Sequence, residues 1–575
     1  MSEFQHLLSS QQGSGNSLNI SNNYGLQSDL ESNDNTFEVT KSHQDKLDTI
    51  LHQIGMGKFQ YLLFILCGFG WLADNMWLQG VIVILPRIQR HFSISDLYAG
   101  FPDSAFFIGM MLSSIFWGGH SDLHGRRDAF HWTLSIATFA GIFSAIAPNF
   151  WSLNFFLVVL GFGIGGTVPV DSSILLEFLP SKHHYLVTSL SMFFGLGAVL
   201  ASLSAYLILP TYSCPDLIPG NPLTDCDVSV SNNGWRYLLV LLSVINGLMA
   251  FWRVFLFKLP ETPQYLLANN QPEEVVDTLN YIAKYNGLSM KFTMSDLIPA
   301  DKPSQSDEIC NQFSQNQSQN INNNDSNSNS LPKFTFIESE VRTPWLLNAL
   351  GFDLNLIYNL FQPYYRLSTI LIWSIWMLMA TAYSLFMTFL PKYLEMKGQT
   401  DEGPGTMADV YWSYLIYSAC GIPGSLMGGW LVDSSLGRKG TLALSTALAG
   451  LAQIGFIFFK SLNLATFCSS SVSFLVTLMY SVLYSYTPEV FDPRLRSTAC
   501  GIAASLSRVF AIISPMLTGV LFSIRVWSPL EISTVLIFVL AILSVLLPIE
   551  TKQKSTNSTQ YRYNLSAIDW LLFFL

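Results

Sequence analysis

The chain alternates long apolar runs with short polar breaks. Apolar runs cover about 59–86, 97–117, 129–147, 150–179, 185–209 and 235–258, and then about 368–391, 410–432, 441–459, 463–486, 498–523 and 527–549. A helix needs roughly 20 such residues to cross a bilayer, so the pattern predicts an all-α membrane protein with twelve transmembrane helices in two groups of six. Between the groups lies 261–367, which holds an amphipathic patch and an Asn/Gln/Ser tract near 311–330 that cannot bury a core. The polar segment 1–57 lacks the charged start and apolar centre of a secretory signal and reads as a disordered tail. The expected organisation is therefore a tail (1–57), an N-terminal six-helix half (58–260), a partly disordered central loop (261–367), a C-terminal half (368–550) and a second tail (551–575).

Composition agrees, since half of the 575 residues are hydrophobic and only 12% are charged, far too few charges for a soluble chain of this length. The net charge of −10 sits largely in the tail and central loop and gives no reason to expect nucleic acid. Basic residues Arg126, Arg127, Lys182, Lys258, Arg438, Lys439, Arg494 and Arg496 fall in alternate loops, on the side of the long tail and central loop. By the excess of such residues on the inner face, both termini are expected to be cytoplasmic. Arg87, Arg90 and Lys392 break this rule on the other side.

The order of short motifs shows a duplication. Gly118-Gly-His-Ser-Asp122-Leu-His-Gly125-Arg126-Arg127 joins the second and third runs, and Gly429-Trp-Leu-Val-Asp433-Ser-Ser-Leu-Gly437-Arg438-Lys439 joins the eighth and ninth. The aspartates are 311 residues apart, while Glu177 and Glu489, which close the fourth and tenth runs, are 312 apart. Two motifs in one order at nearly one offset argue for homologous halves.

The Gly-x-x-x-Asp-x-x-Gly-Arg-Arg spacing resembles the loop motif of the major facilitator superfamily. Tyr486-Thr-Pro-Glu489-Val-Phe-Asp-Pro-Arg494-Leu-Arg496 and Pro260-Glu261-Thr-Pro-Gln264-Tyr-Leu266 are similar to segments of its synaptic-vesicle-related and sugar-porter branches. His184 and Gln264 stand where those branches carry Arg. The resemblance covers about 45–265 and 365–550. It implies the major facilitator fold and a gating role for Gly118, Asp122, Gly125, Arg126, Arg127, Glu177, Asp433, Gly437, Arg438, Lys439, Glu489 and Arg496. Among these, Asp122, Arg126, Glu177, Arg438 and Glu489 are expected to make charge contacts between helices that close the cytoplasmic side in the outward-open state.

Charges at bilayer depth are costly, about 2.5–3.5 kcal/mol each on an insertion scale. Asp74 near the centre of the first run either titrates or contacts substrate in a cavity, or is satisfied by Asn75 or a structural pair. Arg508 in the eleventh run is a candidate for a substrate anion or an ion pair. Asp103 and Asp171 lie nearer helix ends, within reach of hydration, and Arg253 is read as an anchor that snorkels. Trp71, Trp77, Trp373, Trp376 and Tyr383 sit on the first and seventh runs, where they line a cavity for a ring-bearing solute or serve packing and interface belts. Cys214 and Cys226 share one outward loop and are expected to form a disulfide; Cys67, Cys420, Cys468 and Cys500 fall in apolar runs.

These features imply a secondary active transporter that moves a small organic solute by alternating access and couples to protons, with the bilayer and the solute as its partners. A sensor or receptor on the same scaffold is the alternative, as is transport of phosphate or sugar. No metal-binding His-Glu-x-x-His, nucleotide loop or nucleophile elbow occurs, so neither an enzyme nor a cofactor is expected.

Overall fold

The computed structural model describes residues 46–180, 183, 185–214, 228–269, 271–297, 354–398, 406–432, 436–491 and 493–551. Among the described residues, ten helical segments are long and apolar enough to cross a membrane. The helices Arg126–Ala145 and Met407–Val432 complete the twelve. The first of these two begins Arg-Arg-Asp and buries Thr133 and Ser144, which lowers its hydropathy without shortening it.

The N-terminal half comprises Lys58–His91, Phe101–His124, Arg126–Ala145, Phe150–Ile164 continued by Thr167–Phe178, Tyr185–Ser189 continued by Ser191–Tyr212, and Gly234–Phe251 ending in a π-turn at Trp252–Leu256. The C-terminal half comprises Arg366–Met387 continued by Leu390–Lys397, then Met407–Val432, Gly437–Phe458, Leu462–Val490, Pro493–Ile524 and Ser528–Leu546. These are called the first to twelfth spans below. In the fourth span, a side chain at Gly161 or Gly165 would strike backbone of the second span, at Phe106 and Met110 respectively. A small-residue face therefore lets two helix backbones approach, as membrane helices require where no hydrophobic force drives them together.

Residues 46–59, 178–180 and 262–297 belong to a second compact unit. Residues 46–54, within the stretch read from sequence as a tail, form a helix that buries Leu47, Ile50, Leu51 and Ile54. In the same unit, the amphipathic helix Pro272–Tyr285 buries Val275, Leu279 and Ile282. The Phe59 ring meets Tyr285 edge-on at 5.8 Å, and its amide donates to Asn286 Oδ1 at 2.9 Å.

Candidate functional site

The duplicated motif builds the same structure twice at one end of the spans. Gly125 and Gly437 have φ of 100° and 68°, a left-handed backbone in which a β-carbon is strained, so each turns the chain into the next helix. The arginine that follows reaches the glutamate closing its own half's fourth or tenth span: Arg126 Nε to Glu177 Oε1 at 2.6 Å, and Arg438 Nε to Glu489 Oε2 at 3.0 Å. A second carboxylate caps the new helix. Glu261 accepts from the Arg126 and Arg127 amides at 2.9 and 3.4 Å, and Glu550 from the Arg438 and Lys439 amides at 3.0 and 3.2 Å. The Arg126–Glu177 and Arg438–Glu489 pairs join helices within each half. The Arg127 side chain pairs with neighbouring Asp128 on the surface. The side chains of Asp122, Asp433 and Arg496, and the surroundings of Gly118, lie outside what is described.

At the opposite end the halves are joined directly. Arg87 of the first span donates from Nη2 to both oxygens of Glu395 in the seventh, at 2.6 and 2.7 Å. Its Nε reaches the Tyr411 hydroxyl and its Nη1 the Cys214 carbonyl. All three guanidinium nitrogens are thus engaged, Nη2 by charge-assisted bonds to the carboxylate. Nearby, Lys392 bonds Asp96 at 2.6 Å and Gln89 at 3.2 Å. Arg87 and Lys392, two of the residues that broke the charge rule, therefore form a clasp between halves.

Asp74 is 7% exposed, and its carboxylate makes no hydrogen bond or ion pair among the described residues. Arg508, from the other half, is half-buried, interacts electrostatically with Asp74 and forms no contact ion pair with it. Tyr484 interacts with both charges and is 56% exposed. Trp376 meets Tyr484 edge-on at 4.9 Å and donates to Thr487 at 3.0 Å. Trp71 lies 4.7 Å from Phe194, with its indole nitrogen buried and unpartnered. Asn75 donates to the Phe194 carbonyl at 2.8 Å, which places its amide on the fifth span rather than on Asp74.

Toward the clasp, a polar cluster crosses the two halves. Thr388 donates to Asp103 Oδ2 at 3.2 Å, while Asp103 Oδ1 is buried without a partner. The Tyr414 hydroxyl bonds Gln79, and Tyr383 and Tyr417 share a hydrogen bond. The sequence reading included Asp103 and Tyr383 but missed Gln79, Tyr414, Tyr417 and Tyr484. Tyrosines at 414 and 417, and at 480 and 484, share helix faces, and that spacing was the available signal.

Three expectations are corrected. Arg253 does not snorkel: it is fully buried, bonds Asp171 at 2.7 Å and the Leu66 carbonyl at 2.6 Å, and lies 3.9 Å over the Phe130 ring. Asp171 is accordingly fully buried rather than hydrated, and Asp103 is 1% exposed. Trp77, also fully buried, fills the space left by Gly141 and belongs to the helix packing. Trp373 donates to the Ala499 carbonyl within the C-terminal half. Cys214 is disulfide-bonded; Cys226 lies outside the described residues.

Comparison with known proteins accounts for this architecture. The family model described as the Major Facilitator Superfamily matches residues 61–489 and 406–575. An MFS-type transporter of Schizosaccharomyces pombe is 34% identical, over 89% of this chain and 88% of its own. The MFS siderochrome iron transporter 1 of Ceriporiopsis subvermispora is 31% identical over 88% and 90%, and the synaptic vesicle 2-related protein of Bos taurus 26% over 90% and 83%. In fold, the chain is similar to the E. coli xylose transporter XylE in an inward open conformation, with a TM-score of 0.57 at 13% identity over 86% of this chain and 98% of that one. Homologous halves, a motif built twice and full-length relatives agree, and the chain belongs to the major facilitator superfamily of membrane transporters.

Proposed function

We propose that the protein is a secondary transporter that carries a small organic solute by alternating access, with Asp74 as the proton-binding carboxylate and Arg508 as the group that meets a substrate anion or offsets Asp74. The observation that supports this most is the pair itself: opposite charges from opposite halves that interact without touching. A purely structural pair would close to a contact, because two separated charges at bilayer depth each bear a desolvation cost. Rocking the halves changes their separation and hydration, and therefore the readiness of Asp74 to hold a proton. With both termini cytoplasmic, the Arg87–Glu395 clasp closes the outward side. Trp71, Trp376, Tyr383 and Tyr484 supply flat faces for a ring-bearing solute, and Asp103 with Gln79 and Tyr414 forms the polar floor toward the clasp. Asp171 acts at one remove, by fixing the first span that carries Asp74.

The test is uptake into proteoliposomes with an imposed pH gradient, screened across sugars, organic ions, carboxylates and phosphate. Asp74→Asn should abolish pH-driven accumulation and leave exchange of solute across the membrane at least partly intact, because exchange needs no net proton movement. Accumulation with unchanged pH dependence in Asp74→Asn overturns the proton role, and absence of uptake for every class favours a sensor.

A further inference from the structure

The eighth and tenth spans bound a groove of about 650 Å³ that belongs neither to the Asp74–Arg508 pair nor to the clasp. It opens on the membrane-facing surface: Phe467 and Trp412 on its walls are 69% and 50% exposed, within helices that cross the bilayer. Its lining runs from residue 463 to 475 along the tenth span, about 18 Å at 1.5 Å per residue, or about one leaflet of hydrocarbon.

Asn463, Ser413, Thr466 and Ser470 supply polar groups in the half nearer the start of the two helices, beside Trp412 and Phe467, whereas Phe474 and Leu475 with Ile416 supply an apolar wall deeper in. Ser470 is 7% exposed and its hydroxyl has no hydrogen-bond partner among the described residues. A buried hydroxyl left unpaired costs free energy that a ligand oxygen would recover. Ser413 and Thr466 donate to carbonyls of their own helices, at 2.8 Å each, which leaves their oxygens able to accept. A ligand that accepts from Ser470 and donates to Ser413 or Thr466 would fit these groups, and a single hydroxyl group does both.

We propose that this groove binds a sterol, its hydroxyl at Ser470 and its rigid ring body against Ile416, Phe474 and Leu475. No charged side chain lines the groove, so a phosphate headgroup has no counter-charge there. The volume falls in the range of pockets that enclose one small molecule. A flat, stiff body also loses little conformational freedom on binding, unlike a flexible acyl chain.

The experiment uses the full chain in phosphatidylcholine nanodiscs with a photoactivatable sterol and peptide mapping by mass spectrometry. Labelling is expected on residues 412–423 or 463–475, competed by unlabelled sterol and not by a fatty acid. Ser470→Ala should weaken that competition about 2- to 12-fold, the loss of one hydrogen bond of roughly 0.5–1.5 kcal/mol. Ile416→Trp, which fills the groove, should abolish labelling, and Ser470→Ala serves as the milder variant if that bulk disturbs folding. Labelling elsewhere, competition by fatty acid as strong as by sterol, or labelling indifferent to Ser470→Ala overturns the proposal.

Discussion

The clasp makes a quantitative prediction about how the two halves divide their time between open and closed ends. The Arg87 side chain is 2% exposed and that of Glu395 10% exposed, so Glu395→Gln leaves a buried guanidinium without its counter-charge. Breaking one side of such a pair costs roughly 3–5 kcal/mol. The cost falls on the clasped state alone, because once the halves part at that end both side chains reach water. At about 1.4 kcal/mol per factor of ten, the clasped population should fall relative to the parted one on the order of 100- to 3000-fold. The more exposed Lys392–Asp96 pair, with side chains 19% and 35% exposed, gives a contrast. Exposed pairs are worth roughly 0–1 kcal/mol, so Asp96→Asn should shift the balance by no more than about fivefold.

Pulsed electron paramagnetic resonance between spin labels at Ile146 and Phe459 reads this directly. Both positions are exposed, at 64% and 44%, and they sit on different halves at the clasp end. Glu395→Gln should move most of the distance distribution to longer values. Arg87→Met with Glu395→Leu should bring part of it back, because an apolar pair carries no buried charge. A distribution that stays at the native distance in a monodisperse Glu395→Gln protein refutes the reasoning, since the clasp would then contribute nothing to closure.

Three further outcomes are expected. Gly70→Ala should abolish folded protein in a fluorescence size-exclusion assay, because its new β-carbon would overlap Asp171 Oδ2 and crowd Arg253, breaking a fully buried pair worth about 3–5 kcal/mol when one side is lost. Glu261→Gln and Glu550→Gln should each lower thermal stability by about 0.5–2 kcal/mol, the scale of a helix cap, and by similar amounts; an effect confined to one of them would deny that the two caps are equivalent. Peptide mapping without reduction should recover Cys214 joined to Cys226, and alkylation of both thiols in unreduced membranes would exclude the pairing.

The fold could be read from sequence because its signal is local: apolar length sets the spans, and a repeated glycine-arginine turn sets the halves. The site could be read only in part, because its energetics depend on partners far apart in the chain. Arg87 and Glu395 are separated by 308 residues and Arg253 and Asp171 by 82, so each charge alone was consistent with an interface anchor, a hydrated end or a pair. A charge near the end of a span is ambiguous by nature, since a long side chain can reach water or turn inward at little difference in backbone geometry. What removes the ambiguity is a complementary charge at the same depth. Arg87, Asp96, Lys392 and Glu395 carry both signs at one end of three spans, on the side otherwise poor in basic residues, and that coincidence was visible before any coordinates. Asp74 and Arg508 are the opposite case, in which charges at matching depth do not close to contact. A separation that structural pairing would have removed persists between these two charges, and for that reason they, rather than the tighter pairs, are the place to look for solute and proton.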